Sequence, residues 1–219
     1  MSRITHLSDN PSILDEYMAD LRSVDAQNNR ESFRENIRKV GRILGYEISK
    51  SLNYEKSKIQ TPLAEHAQNR LQDDVVLITI LRAGLPLHEG MLSCFPKAEN
   101  GFVSAYRKHD NDGGFEIEVG YVACPDLTDK VLILNDPMLA TGSSFETAIK
   151  VLEDYGTPKS IHVAAVIASA QGVENVSQSL PEDVQIWIAA IDPDLNDQKY
   201  IVPGLGDAGD LAFGEKLQS

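Results

Sequence analysis

Apolar runs recur along this chain in a form that only a sheet covered on both faces accommodates. Val75-Val-Leu-Ile-Thr-Ile80, Val131-Leu-Ile-Leu134, Ser160-Ile-His-Val-Ala-Ala-Val-Ile167 and Gln185-Ile-Trp-Ile-Ala-Ala-Ile191 are rich in β-branched residues and lack polar alternation. Between them, Leu85 to Leu92, Phe145 to Tyr155 and Ala170 to Leu180 have helical spacing. Buried strands separated by helices imply an α/β fold, a mostly parallel sheet flanked by helices. Two helices are expected ahead of the first buried strand, from Ser12 to Arg22 and from Asn29 to Leu52. In the second, Phe33, Ile37, Val40, Leu44 and Ile48 share one face, and Arg34, Arg38, Lys39 and Arg42 form a face read as solvated surface. Arg3 to Leu7 reads as an edge strand. Gly101 to Tyr106 and the alternating Phe115, Ile117 and Val119 flank the turn signal at His109 to Gly114, which predicts a projecting hairpin. We expect one domain over 1–219, with a helical cover to about 60, an α/β core to about 191 and a distinct tail after it.

Acidic residues outnumber basic ones, 33 to 20, for a net charge of −13. That sign excludes duplex nucleic acid and anionic membrane as partners, so an anionic ligand must be drawn in by a few well-placed cations. Cys94 and Cys124 are too few for a metal cluster or a disulfide framework, and both sit among apolar residues. His162 and Trp187 fall inside buried runs and are expected to pack in the core. Met1 to Leu7 lacks an apolar leader, and no stretch approaches the ~20 apolar residues of a membrane span. The expected location is the cytoplasm.

The chemistry concentrates after Leu134. Asn135 and Asp136 end the strand, and the small, hydroxylated loop Ala140-Thr-Gly-Ser-Ser144 opens the next helix. A loop at a helix N-terminus offers unpaired N–H groups and the positive end of the helix dipole, which suits a phosphate. Gly142 lets backbone approach closely, and Thr141, Ser143 and Ser144 add hydroxyl donors. Asp136 would repel phosphate, so it calls for a different partner, such as a sugar hydroxyl pair or a metal ion. The plainer alternative is a strand–turn–helix in which Asp136 caps a turn and Ser143 or Ser144 is an ordinary helix cap. Arg82, directly after the strand ending at Leu81, is costly there unless it meets an anion. The tail Tyr200-Ile-Val-Pro-Gly-Leu-Gly-Asp-Ala-Gly-Asp210 spells G-x-G-x-x-G. It is not read as a dinucleotide fingerprint, which needs a preceding strand and a further βαβ unit.

The segment from Val131 to Ser144 resembles the phosphoribosyl-diphosphate (PRPP) motif of type I phosphoribosyltransferases. The form Asp136-Pro-Met-Leu-Ala-Thr-Gly142 is similar to that of the uracil phosphoribosyltransferase family. Leu81 to Gly84 and Tyr200 to Gly214 match the same family in order and near its spacing. The general motif has an acid where this chain has Asn135, which leaves the ribose to one carboxylate.

The resemblance implies a type I phosphoribosyltransferase-like sheet with a β-hairpin arm and a C-terminal base-binding segment. It implies transfer of the phosphoribosyl group from PRPP to uracil, giving UMP and diphosphate. Arg82 and Arg107 would then hold diphosphate, and Asp136 the ribose hydroxyls. Pro137, Met138, Leu139 and Ala140 would line the PRPP site, with Thr141, Gly142, Ser143 and Ser144 on the 5′-phosphate. Ile201, Gly206, Asp207 and Ala208 would hold uracil. Asp136, Asp207 and Arg82 would carry the catalytic roles. Mg²⁺ would arrive as the PRPP complex, with Asp207 a ligand directly or through water. A homodimer or tetramer is expected. His109 is given no catalytic part. The rival readings are another base as acceptor, or a PRPP-sensing regulator without catalysis.

Overall fold

A computed structural model describes the backbone of residues 3–109 and 115–217, with side chains described except at 105–109 and 115–118. The turn signal at 110–114 lies outside the described residues. The edge strand β1 (Ile4–His6) leads to helices α1 (Ile13–Arg22), α2 (Val24–Gln27) and α3 (Arg30–Ser49). Ser12 and Asp15 form a capping box at α1, and the Asn29 side chain accepts from the amides of Glu31 and Ser32 at the start of α3. Each cap satisfies amides that the helix itself leaves unpaired.

Next comes an antiparallel hairpin, β2 (Tyr54–Gln60) and β3 (Glu65–Leu71). The sequence reading missed it and had only a break at Thr61-Pro62. Its residues are mostly polar and nearly all exposed, so no apolar alternation marks it. The break is the hairpin's turn, where Thr61 N and Oγ1 both donate to the Ala64 carbonyl. The boundary expected near residue 60 therefore falls at the tip of a hairpin.

The sheet follows: β4 (Val75–Leu81), α4 (Leu85–Leu92), β5 (Glu99–His109), β6 (Phe115–Ala123), β7 (Val131–Asn135) and the short β8 (Met138–Leu139). Helix α5 (Ser143–Leu152) ends earlier than expected, because Glu153–Tyr155 tightens into a 3₁₀ turn before Gly156 at φ 117°. Then come β9 (Ser160–Ser169), α6 (Ala170–Ser179), β10 (Gln185–Asp192), the small pair β11 (Asp194–Leu195) and β12 (Ile201–Val202), and α7 (Ala208–Phe213). The main sheet runs β1-β10-β9-β7-β4-β5-β6, with β8 also on β9. Its pairs are parallel except β5 with β6. Among the described residues no helix is long and apolar enough to cross a membrane.

Successive strand residues alternate between two cores. Leu77, Ile133, Val166 and Trp187 pack on the side of α1, α3 and α4. Ile78, Leu134, Val163 and Ile188 pack on the side of α5 and α6, with Phe145 fully buried among them. The tail residues Ile201, Leu205, Ala208 and Ala212 belong to the first core. His162 and Trp187 are core residues as expected. Trp187 Nε1 donates to His162 Nδ1 at 3.1 Å, and burial pushes the imidazole down to about 4, against a small opposing effect of Asp73. Cys94 and Cys124 are half-buried free thiols. Burial raises both, and Asp126 helps push Cys124 up to about 11, so neither is primed as a nucleophile.

Helices α3 and α4 cross at glycines. A Cβ on Gly90 would lie 2.2 Å from the Arg38 carbonyl oxygen, and one on Gly41 2.6 Å from that of Leu87. These contacts are with backbone and cannot be relieved by a side-chain rotation. Gly90→Ala should therefore lose about 1–3 kcal/mol of stability despite alanine's better helix propensity. A urea midpoint equal to or above that of the parent would contradict this close crossing.

Candidate active site

The crevice follows from strand order. After β4 the chain builds outward through β5 and β6; it then returns to the other side of β4 and builds through β7, β9 and β10. The loops leaving the carboxyl ends of β4 and β7 therefore diverge, which is where open α/β sheets bind ligands. Thr79 and Asn135 are register partners just before those loops. The β4 loop holds Arg82, Ala83 and Gly84, and the Leu81–Arg82 peptide is cis. A Cβ at Gly84 would lie 1.9 Å from Thr79 Oγ1, so no other residue fits this turn.

The β7 loop is built to present backbone. Gly142, at φ 90°, occupies the cap position of α5 with no side-chain cap, so neither Ser143 nor Ser144 is an ordinary helix cap. Thr141 Oγ1 and Ser143 Oγ lie 3.0 Å apart, and the Ser143 amide reaches Thr141 Oγ1 at 3.4 Å. Pro137 and Leu139 are buried, and the Pro137 carbonyl accepts from the amides of Val166 and Ile167. Leu139 is fully buried, backbone included, so it supports the loop from within and presents no surface to the crevice.

The loop is supported from α6, by residues the sequence reading missed. Ser169 Oγ donates to the Ala140 carbonyl at 2.6 Å and accepts from Gly172 N at 2.8 Å, and Asn175 Nδ2 donates to the Thr141 carbonyl at 3.0 Å. A Cβ on Gly172 would lie 2.2 Å from the Ala140 oxygen. A serine at the end of a strand with glycine three residues on marks a helix start, but nothing local says what that start touches.

Asp136 is half-buried, and its Oδ1 accepts from Met138 N at 3.0 Å. Burial pushes its pKa up to about 7; the Met138 amide opposes the rise and the charge of Asp207 adds to it. Asp136 and Asp207, 71 positions apart in sequence by their numbering, thus lie near enough for their charges to interact. Asn135 plays another part: its Nδ2 donates to the Ile78 carbonyl at 3.0 Å, tying β7 to β4.

The tail reaches the crevice as a strained turn followed by α7. Gly204 and Gly206 have φ 65° and 88°, and a Cβ on Gly204 would lie 2.0 Å from the Ile201 oxygen. Asp207 caps α7, its Oδ1 accepting from Gly209 N and Asp210 N. Ile201 and Ala208 are buried, while Gly206 is exposed and Asp207 half-exposed. The N-terminal helices hold this backbone in place. Arg22 pairs with Asp192 through both nitrogens at 2.6 and 2.7 Å, Asp192 accepts from Gly204 N at 2.7 Å, and Gln27 Nε2 donates to the Leu205 carbonyl at 2.8 Å. Arg34 donates to the Ala212 carbonyl at 2.7 Å, so the basic face of α3 is not wholly solvated surface.

The family model for uracil phosphoribosyltransferase matches residues 8–215. The chain belongs to the uracil phosphoribosyltransferase family. It is 52% identical over 214 residues to a uracil phosphoribosyltransferase of Porphyromonas gingivalis, covering 98% of this chain and 99% of the relative. A solved structure of an Aquifex aeolicus protein superposes with a TM-score of 0.87 at 29% identity, covering 98% of this chain and 99% of that one. An adenine phosphoribosyltransferase from Trypanosoma brucei shares the fold, with a TM-score of 0.55 at 10% identity, covering 91% and 88%.

The sheet thus brings together, at the reversal point, Arg82, the Asp136–Ser144 segment and the Gly206–Ala208 turn of this family member. Arg107 lies on β5 opposite Ile117, and His109 opposite Phe115; their side chains lie outside the described residues.

Asp136 also carries a stability consequence with a definite sign. Its native pKa lies above the ordinary carboxylate value, so the unfolded chain loses its proton first. Stability should fall as pH rises from about 4 to about 7, by up to a few kcal/mol, and the penalty is then full at higher pH. Asp136→Asn should raise the urea midpoint at pH 8 and leave it nearly unchanged near pH 4. Equal effects at both pH values would exclude ionisation as the cause.

Proposed function

We propose that this protein transfers the 5-phosphoribosyl group from PRPP to uracil, giving UMP and diphosphate, a pyrimidine salvage step. The observation that carries the reading is the meeting, at one crevice, of an amide-presenting loop, a carboxylate and an arginine with a glycine-rich backbone turn. Membership of the family names the chemistry to which those groups are suited.

In this reading the amides and hydroxyls of Thr141, Gly142, Ser143 and Ser144 take the 5′-phosphate at the N-terminus of α5. Pro137, Met138 and Ala140 form the wall between that loop and the ribose, with the buried Leu139 supporting it from within. Asp136 accepts from the ribose hydroxyls, and its carboxylate offsets the positive charge that develops as the anomeric carbon releases diphosphate. Arg82 and Arg107 hold the departing diphosphate. The uracil nitrogen then bonds to the same carbon and gives up its proton, which leaves with the diphosphate. Aligning the two substrates can supply about 7–11 kcal/mol of the rate advantage. The residues do little covalent work.

Among the described residues no group of three or more His, Cys, Asp or Glu could hold a metal. Asp207 commits Oδ1 to two amides, and its Oδ2 lies 4.0 Å from Lys216 Nζ. That donor set fits a cation already bound to phosphates better than a resident one. Mg²⁺ supplied with PRPP would neutralise the diphosphate, with Asp207 a ligand directly or through water.

Ile201, Gly206, Asp207 and Ala208 frame the base. Backbone donors and acceptors on such a turn are fixed, so cytosine, which reverses part of uracil's hydrogen-bonding edge, leaves buried groups unpaired at about 1–3 kcal/mol each. The exposed β2–β3 hairpin supports self-association. Among the described residues it pairs only with itself; Leu63 at its turn is 96% exposed, and Tyr54 and Leu71, paired at its open end, are exposed too. A lone two-stranded ribbon is marginal in water, and a second subunit of a dimer or tetramer would cover it. PRPP does not cross a bilayer unaided, so the enzyme works in the cytoplasm with it.

The test is diphosphate release from PRPP and Mg²⁺ with uracil, cytosine or a purine base. Release is expected with uracil and to be far slower with the others. Faster turnover of another base, or PRPP binding with no turnover, would overturn the reading. Asp136→Asn should lower kcat/KM about 10²-fold or more, roughly 3 kcal/mol.

A further inference from the structure

Arg82 is engaged by only one of its nitrogens. Nη2 donates to Asp210 Oδ1 at 3.0 Å and to the Gly214 carbonyl at 3.1 Å. Among the described residues Nε and Nη1 have no hydrogen-bond partner. A guanidinium has its donors on distinct edges, so one edge can be anchored while another receives an oxyanion. The anchor belongs to the tail, more than a hundred residues away in sequence, and sits on the same short helix whose cap is Asp207. The two segments are adjacent: a Cβ on Gly209 would come to ordinary contact distance, 3.8 Å from Ala83 Cβ and 3.9 Å from Arg82 Nη2. Beyond it, the Gly214 amide donates to the Asp210 carbonyl at 2.8 Å, a backbone bond that sets Gly214, Arg82's second acceptor, at the end of the same helix.

We propose that Asp210 is a positioning residue that couples the two substrate sites. It holds Arg82 with its unpartnered edge toward the diphosphate, and through the same contact fixes α7 and the Gly206–Ala208 turn. Diphosphate on Arg82 then restrains the tail, and uracil meets a pocket already ordered. Because coupling between binding sites is reciprocal, uracil must tighten diphosphate binding by the same factor. The inference rests on the activity proposed above. An exposed ion pair adds little to global stability, so the contact shows its effect in coupling and not in the unfolding midpoint.

Calorimetry of the full-length protein reads this directly. Uracil is titrated with and without Mg–diphosphate, which permits no turnover. In the parent, diphosphate should tighten uracil binding about tenfold. In Asp210→Ala the two affinities should agree within about twofold. Asp210→Asn keeps an acceptor oxygen for Nη2 and should retain part of the coupling. In steady state, with the other substrate saturating, Asp210→Ala should raise the KM for uracil and that for PRPP by a similar factor, about tenfold. A merely structural defect would lower the urea midpoint, which loss of coupling alone leaves in place. Coupling of parental size in Asp210→Ala would overturn the proposal. So would tighter Mg–diphosphate binding by that variant, since the pair would then compete with the ligand. Failure of the parent to use uracil at all would sink the activity itself, a result distinguishable from loss of coupling alone.

Discussion

Burial of the central strands on both faces is the constraint from which the rest follows. A strand such as β4, whose residues Val75 to Ile80 are all buried, leaves no room on either face of the sheet for a polar ligand. Ligand chemistry is pushed to the strand ends, where backbone must in any case leave the sheet. Which end and which strands are then set by connectivity. The loops part company only between β4 and β7, and the arginine and the carboxylate lie there. The same burial takes Asp136 partly out of water and raises its pKa, so a group suited to function sits where it costs stability.

The chain is strongly acidic, yet several of its cations point inward at the tail. Arg22, Arg34 and Arg82 each donate to a tail carbonyl, at Gly204, Ala212 and Gly214. Gly204 and Gly206 adopt positive φ, open to glycine at little cost, and a turn of that kind has no side chains with which to hold itself. Arginines and Gln27 from other elements supply that support. The N-terminal helices are therefore more than a cover for the sheet, because they shape a surface assembled from the far end of the chain.

The sheet, its parallel sense, the principal helices and the loop after β7 were legible from residues alone, because each is written in local periodicity or in turn chemistry. The β2–β3 hairpin was not. It buries almost nothing against the rest of the chain, so its residues carry none of the alternation by which a half-buried strand is recognised. The support of the Ala140 and Thr141 carbonyls by Ser169 and Asn175 was equally hidden, since a helix cap and a surface asparagine look alike wherever they point. Asn135 shows the converse. The sequence marks it as a departure from an acidic motif, and in three dimensions its amide fastens β7 to β4.

By itself, then, the sequence determined the class of fold and the kinds of group available: a small, hydroxylated loop opening a helix, one carboxylate beside it, an arginine at a strand end, and a glycine-rich tail. Burial and backbone conformation depend on neighbours a few residues away, and these a sequence displays. The tertiary structure alone decided that Asp207 lies near enough to act on the charge of Asp136, that Arg82 is anchored by Asp210, and that Arg22 and Asp192 fix Gly204. Those contacts join residues far apart along the chain. The free energy that selects them comes from closing the two cores around the sheet, and no local pattern records it.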